Sequence, residues 1–108
     1  MSVCLEGKTA FVTGAAQGLG AAIAHAMHAA GARVVLADIS QAVEETAASL
    51  KNVNGVTASA VRLDVRDINA FEVAFASSVE KMGGIDIVVN NAGITRDGTM
   101  HKMNFEQL

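Results

Sequence analysis

Four short apolar runs divide the chain: Lys8-Thr9-Ala10-Phe11-Val12, Arg33-Val34-Val35-Leu36-Ala37, Thr57 to Leu63, and Ile85-Asp86-Ile87-Val88-Val89. Between successive runs lie segments whose apolar residues recur at helical spacing. The second run is apolar almost without a break, as in a strand buried on both faces of a parallel sheet. Four strands alternating with three helices predict a doubly wound α/β sheet, because parallel neighbours need a crossover and a helix supplies it. In such sheets ligands collect beyond the carboxyl ends of the strands. Gly14, Asp38, Asp64 and Asn91 all stand at or just past such an end.

The helices carry their own signals. The first is expected from about Gly18 to Ala30, with Leu19, Ile23, Met27 and Ala30 as its buried stripe and Gly31 as its stop. His25 and His28 then fall on the opposite, solvent-facing side. Ser40 can cap a second helix over Gln41–Lys51, which buries Val43, Ala47 and Leu50. Asn52-Val53-Asn54-Gly55 is turn chemistry. Asp67 can cap a third helix with Phe71, Phe75, Val79 and Met82 on its apolar side, closed by Gly83-Gly84. A further helical turn is expected over Asn104–Leu108.

The connection after the first strand is Thr13-Gly14-Ala15-Ala16-Gln17-Gly18-Leu19-Gly20. A strand that ends in closely spaced glycines and becomes a helix can hold a phosphate. The N–H groups of a first helical turn have no intrahelical partner, and the peptide dipoles add partial positive charge there. Glycines let the main chain approach a pyrophosphate with no Cβ in the way. Alone this turn is only a tight connection. Its companion is Asp38, at the end of the second strand, where a carboxylate can accept from both hydroxyls of an adenosine ribose. Together they predict dinucleotide binding. A 2′-phosphate would be repelled by Asp38, and Gln17 and Ile39 beside it are uncharged. Arg33 is at the far end of the strand, roughly 16 Å away at about 3.3 Å per residue. The expected cofactor is therefore NAD rather than NADP.

Composition removes other classes. With 8 basic and 11 acidic residues the net charge is -3 and no basic cluster occurs, so neither nucleic acid nor an anionic membrane surface is expected as partner. No apolar run reaches the length of a membrane span. One cysteine, Cys4, cannot form an internal disulfide, which fits a cytoplasmic setting. No Cys/His/carboxylate spacing suggests a metal site.

Taken in order, Thr13-Gly14-xxx-Gly18-x-Gly20, Asp38, Leu63-Asp64-Val65 and Asn90-Asn91-Ala92-Gly93 resemble the short-chain dehydrogenase/reductase family, from about Leu5 to the end of the chain. The resemblance implies a Rossmann-type sheet, with Gly14, Gln17, Gly18, Leu19 and Gly20 in the cofactor turn. It implies that Asp64 meets the adenine amino group and the Val65 backbone meets the ring. It implies that the Asn91-Ala92-Gly93 backbone lines the path to the nicotinamide ribose. Gly93 to Gly98 and Met100 to Met103 look most like the β-ketoacyl and acetoacetyl-CoA reductase branch, whose substrates are 3-oxoacyl thioesters. Gln17 departs from that branch, since its NADP-using members commonly carry a basic residue there.

Members of the family move the proton with a tyrosine and a lysine four residues on, aided by a serine and an asparagine. This chain has no tyrosine, so no catalytic residue is assigned in it. The expectation is an N-terminal, cofactor-binding part of a larger, homo-oligomeric oxidoreductase that acts on a small molecule. By itself it should be catalytically silent and, with an apolar fourth strand at the sheet edge, poorly soluble. Two alternatives remain: a non-catalytic NAD-binding or regulatory half-domain, and an α/β interaction module that binds no nucleotide.

Overall fold

The computed structural model describes residues 4–51 and 55–91. Its elements are β1 (Thr9–Thr13), α1 (Gly18–Ala29), β2 (Arg33–Asp38), α2 (Ala42–Lys51), β3 (Ala58–Arg62), α3 (Ile68–Met82) and β4 (Ile87–Asn90). The four strands form one parallel sheet in the order β3-β2-β1-β4. This is the doubly wound arrangement expected from the alternation of runs.

Side-chain parity along the strands divides the core into two layers. Ala10, Val12, Val34, Leu36 and Ala58 face one way and pack with Ala24 of α1 and Val43, Ala47 and Leu50 of α2. Phe11, Val35 and Ala37 face the other way and pack with Met82, Phe71 and Phe75 of α3. All of β1 is buried, as a central strand covered on both faces must be. The ring of Phe11 meets Phe75 edge-on at 5.3 Å and Phe71 at 6.0 Å, the aromatic geometry favoured by ring quadrupoles.

The caps behave as their chemistry requires. Asp67 Oδ1 accepts the Ala70 N–H at 3.0 Å, and Ser40 Oγ accepts that of Ala42 at 3.1 Å. Gly83, at φ 80°, ends α3 and donates to the Val79 carbonyl at 2.9 Å. β4 starts at Ile87, two residues later than the apolar run, because Asp86 is used differently. Its Oδ2 accepts the Thr9 N–H at 2.9 Å, and its own N–H donates to the Thr9 carbonyl at 2.8 Å. A residue that ties off the start of β1 in this way cannot also extend the apolar strand.

The face of α1 is where expectation and structure part. Its buried residues are Gly20, Ala24 and His28, so the centre of the buried stripe lies one residue beyond Leu19, Ile23 and Met27. Ile23 and Met27 are half-buried flanks, and Leu19 is 62% exposed. His25 faces solvent as expected, but His28 is only 1% exposed. Two physical reasons account for this. Small residues at the start of α1 let the helix lie close to the sheet, which a leucine there would prevent. His28 Nε2 lies 2.8 Å from the Val56 carbonyl, so the buried ring keeps a polar partner. A carbonyl only accepts, so Nε2 carries the proton.

Candidate functional site

The order of the strands reverses between β1 and β4, and the carboxyl ends of these two strands meet there. Three elements converge on this edge: the glycine turn after β1, the end of β2, and the end of β4. The turn is shaped by Gly14 at φ 65° and Gly18 at φ 64°, backbone that L side chains rarely adopt. Space in front of Gly18 is open. Gly20 is different. A Cβ on it would overlap the Gly14 carbonyl and lie 2.7 Å from Asn91 Nδ2, so only glycine lets the first turn of α1 seat against the end of β1.

Gln17 precedes the helix in extended conformation, and its side chain makes no capping bond. The first turn of α1 holds no acidic residue. Its N–H groups and the positive end of the helix dipole could therefore receive an external anion. Asp38 stands beside this turn. Its Oδ2 accepts the Ala16 N–H at 3.0 Å and its Oδ1 accepts that of Ser40 at 2.9 Å. Each carboxylate oxygen retains an unused lone-pair direction. The two features that the sequence separated by about twenty residues are thus one hydrogen bond apart.

From the other side, Asn91 Nδ2 donates to the Gly14 carbonyl at 3.2 Å. Thr13 Oγ1 lies 3.0 Å from Asn90 Oδ1 and 3.3 Å from the Val89 carbonyl. The consecutive asparagines thus bind the end of β4 to the glycine turn. Ala92 and Gly93, expected to continue this wall, lie outside the described residues, as do Arg96, Asp97 and His101.

Asp64, past β3, is held by Arg66. Oδ1 accepts both the backbone N–H and Nε of Arg66 at 3.0 Å, and Oδ2 accepts Nη2 at 2.9 Å. The side-chain and backbone hydrogen bonds from Arg66, aided by its charge, lower the Asp64 carboxyl from 3.8 to about 2. The Arg66 guanidinium is pushed up in return, chiefly by the same hydrogen bonds. Val65 is half-buried beside Asp64 and packs against the α3 layer.

One basic residue near Asp38 escaped the sequence reasoning. Arg62 is the register partner of Asp38 on the neighbouring strand, so both side chains leave the same face of the sheet. Arg62 Nη2 lies 3.5 Å from the Ile39 carbonyl, one residue beyond Asp38. The Leu63-Asp64-Val65 triplet pointed past it. A count back along β3 from that triplet could have found it.

The sequence matches the short chain dehydrogenase family over residues 8–108. The chain belongs to the short-chain dehydrogenase family. This short-chain dehydrogenase sequence is 47% identical over 107 residues to an uncharacterized oxidoreductase of Mycobacterium bovis, covering 99% of the chain and 43% of that protein. It is 41% identical over 104 residues to a 2,3-dihydro-2,3-dihydroxybenzoate dehydrogenase of Bacillus subtilis, covering 95% of the chain and 40% of that enzyme. The fold superposes with a TM-score of 0.79 on carveol dehydrogenase from Mycobacterium avium in complex with NAD, at 32% identity. That match covers 97% of this chain and 43% of the other. The chain thus spans about two fifths of the length of these relatives. Among the described residues no helix is long and apolar enough to cross a membrane, and no group of three or more metal-ligating side chains occurs.

Proposed function

We propose that these residues form the NAD-binding part of a short-chain oxidoreductase, which transfers hydride between nicotinamide and a carbonyl or secondary alcohol. The observation that carries this reading is the bond from the Ala16 N–H to Asp38 Oδ2 at 3.0 Å. It sets an acceptor for ribose hydroxyls directly beside an uncapped helix N-terminus suited to a pyrophosphate. The residues fit the group. Gly18 leaves open space, Asp38 keeps unused lone pairs, and Gly20 and Asn91 fix the backbone between them.

In this reading the turn from Gly14 to Gly20 binds and neutralises the diphosphate, with Gln17 and Leu19 contributing backbone. Asp38 orients the adenosine ribose and disfavours a 2′-phosphate, so NAD is preferred over NADP. Asp64 and Val65 receive the adenine, and Asn91, Ala92 and Gly93 line the way to the nicotinamide ribose. When bound, the cofactor supplies a hydride donor or acceptor at its nicotinamide ring. The chain has no tyrosine to exchange a proton with the carbinol oxygen, so these 108 residues bind and position without turnover. The finer substrate reading, a 3-oxoacyl thioester, rests on residues 93–103.

The test is a calorimetric titration of the chain with NAD and with NADP, repeated on Asp38→Ala. Binding of NAD that weakens tenfold or more in the variant supports the proposal. A chain that binds neither dinucleotide, or whose affinity ignores Asp38, overturns it.

A further inference from the structure

The Asp64–Arg66 pair is more specific than an exposed ion pair needs to be. A carboxylate offers about four acceptor directions, two on each oxygen. Oδ1 already takes two donors, the backbone N–H and Nε of Arg66, and Oδ2 takes one, Nη2. The fork of the guanidinium fixes the carboxylate plane as well as its charge. Half-exposed Asp64 is thereby left with one open acceptor direction, on Oδ2, at the carboxyl edge of the sheet.

We propose that Arg66 is a positioning residue for purine selection, which aims the remaining acceptor of Asp64 at a single N–H donor such as the exocyclic amine of adenine. This rests on the dinucleotide reading above, with Asp64 facing the base. A lone acceptor selects a 6-amino purine over a 6-oxo purine, because an oxo group there would set oxygen against oxygen. Without the guanidinium fork the carboxylate rotates about χ2 and its acceptor is no longer aimed. Selectivity between the bases is then lost while the rest of the site is untouched. Lysine at this position keeps the charge but lacks the fork, so charge and aim can be separated.

The experiment is calorimetric titration of the chain with NAD and with nicotinamide hypoxanthine dinucleotide, which replaces the 6-amino group by an oxo group. The wild-type chain, Arg66→Gln, Arg66→Lys and Asp64→Asn are compared. The expected result is a preference for NAD of tenfold or more in the wild type, reduced at least threefold in both Arg66 variants. Affinity for the hypoxanthine analogue should stay within twofold in these variants. Equal weakening toward both dinucleotides would show a merely structural role and overturn the proposal, and so would an unchanged preference. Full recovery in Arg66→Lys would overturn the aiming role in favour of simple charge. If Asp64→Asn retains the full preference, the placement of Asp64 at the base fails. If neither dinucleotide binds, the cofactor reading itself fails.

Discussion

The side-chain amide of Asn91 donates to the main-chain carbonyl of Gly14 at 3.2 Å, which joins the ends of β4 and β1 where the strand order reverses. Gly20 packs into the same junction, and a Cβ there would overlap the Gly14 carbonyl. Alanine in place of a helical glycine ordinarily stabilises by roughly 0.5–1 kcal/mol. Here the overlap is with rigid backbone, so sterics decide the sign. Gly20→Ala is expected to lower the melting temperature and abolish NAD binding. Asn91→Ala, which removes one hydrogen bond, should cost only about 1 kcal/mol. Thermal melting followed by circular dichroism, with a parallel titration, measures both. A Gly20→Ala chain as stable as wild type would refute the packing account.

His28 provides a second check. It donates to the Val56 carbonyl from a buried position. His28→Leu keeps the apolar bulk but removes the hydrogen bond to that carbonyl. The expected loss is about 1–3 kcal/mol by urea unfolding. The neighbouring exposed His25, changed to leucine, should alter stability by no more than about 0.5 kcal/mol. Equal effects at the two positions would contradict the orientation of α1.

The acid limb of stability should carry the signature of Asp64. Its carboxyl titrates near 2 in the folded chain against an ordinary 3.8. The folded pKa is depressed, so the contribution is complete above 3.8 and is lost as pH falls toward about 2. Carboxyl-carbon NMR should place the Asp64 midpoint near 2, and Arg66→Gln should return it toward 3.8. A midpoint that ignores Arg66 would assign the shift to another cause.

Cofactor choice should respond to two charges on one face of the sheet. In the proposed reading Asp38 opposes a 2′-phosphate, whereas Arg62, its register partner, brings positive charge to the Ile39 carbonyl. Asp38→Ala is expected to narrow the preference for NAD over NADP by tenfold or more. Arg62→Gln should widen it severalfold by removing the partial screen. Affinities for both dinucleotides measured on one preparation would decide this, and a change of the opposite sign at Arg62 would count against the screen.

Much of this was legible along the chain. Near-continuous apolar runs marked β1 and β2, since strands covered on both faces need no alternation. Asp67 and Gly83 announced the ends of α3 through local hydrogen bonding and backbone preference. The family signature from Gly14 to Asn91 is likewise a matter of residue type and spacing, because each marked residue stands at or just past the end of its own strand. Those are short-range properties, and a sequence carries them directly.

Only the tertiary structure decided the rest. Periodicity shows that α1 has an apolar side, but the depth of its contact with the sheet chose Gly20, Ala24 and His28 as the centre of that side. Asp86 left the apolar run to bond with Thr9, which lies 77 residues away in sequence. Arg62 came beside Asp38 through strand register, and Arg66 closed its fork on Asp64 through side-chain geometry. The sequence by itself determined which elements form and which residues mark their ends. How closely the elements approach, and which donors and acceptors then meet, was settled by packing, because those distances depend on every neighbour at once.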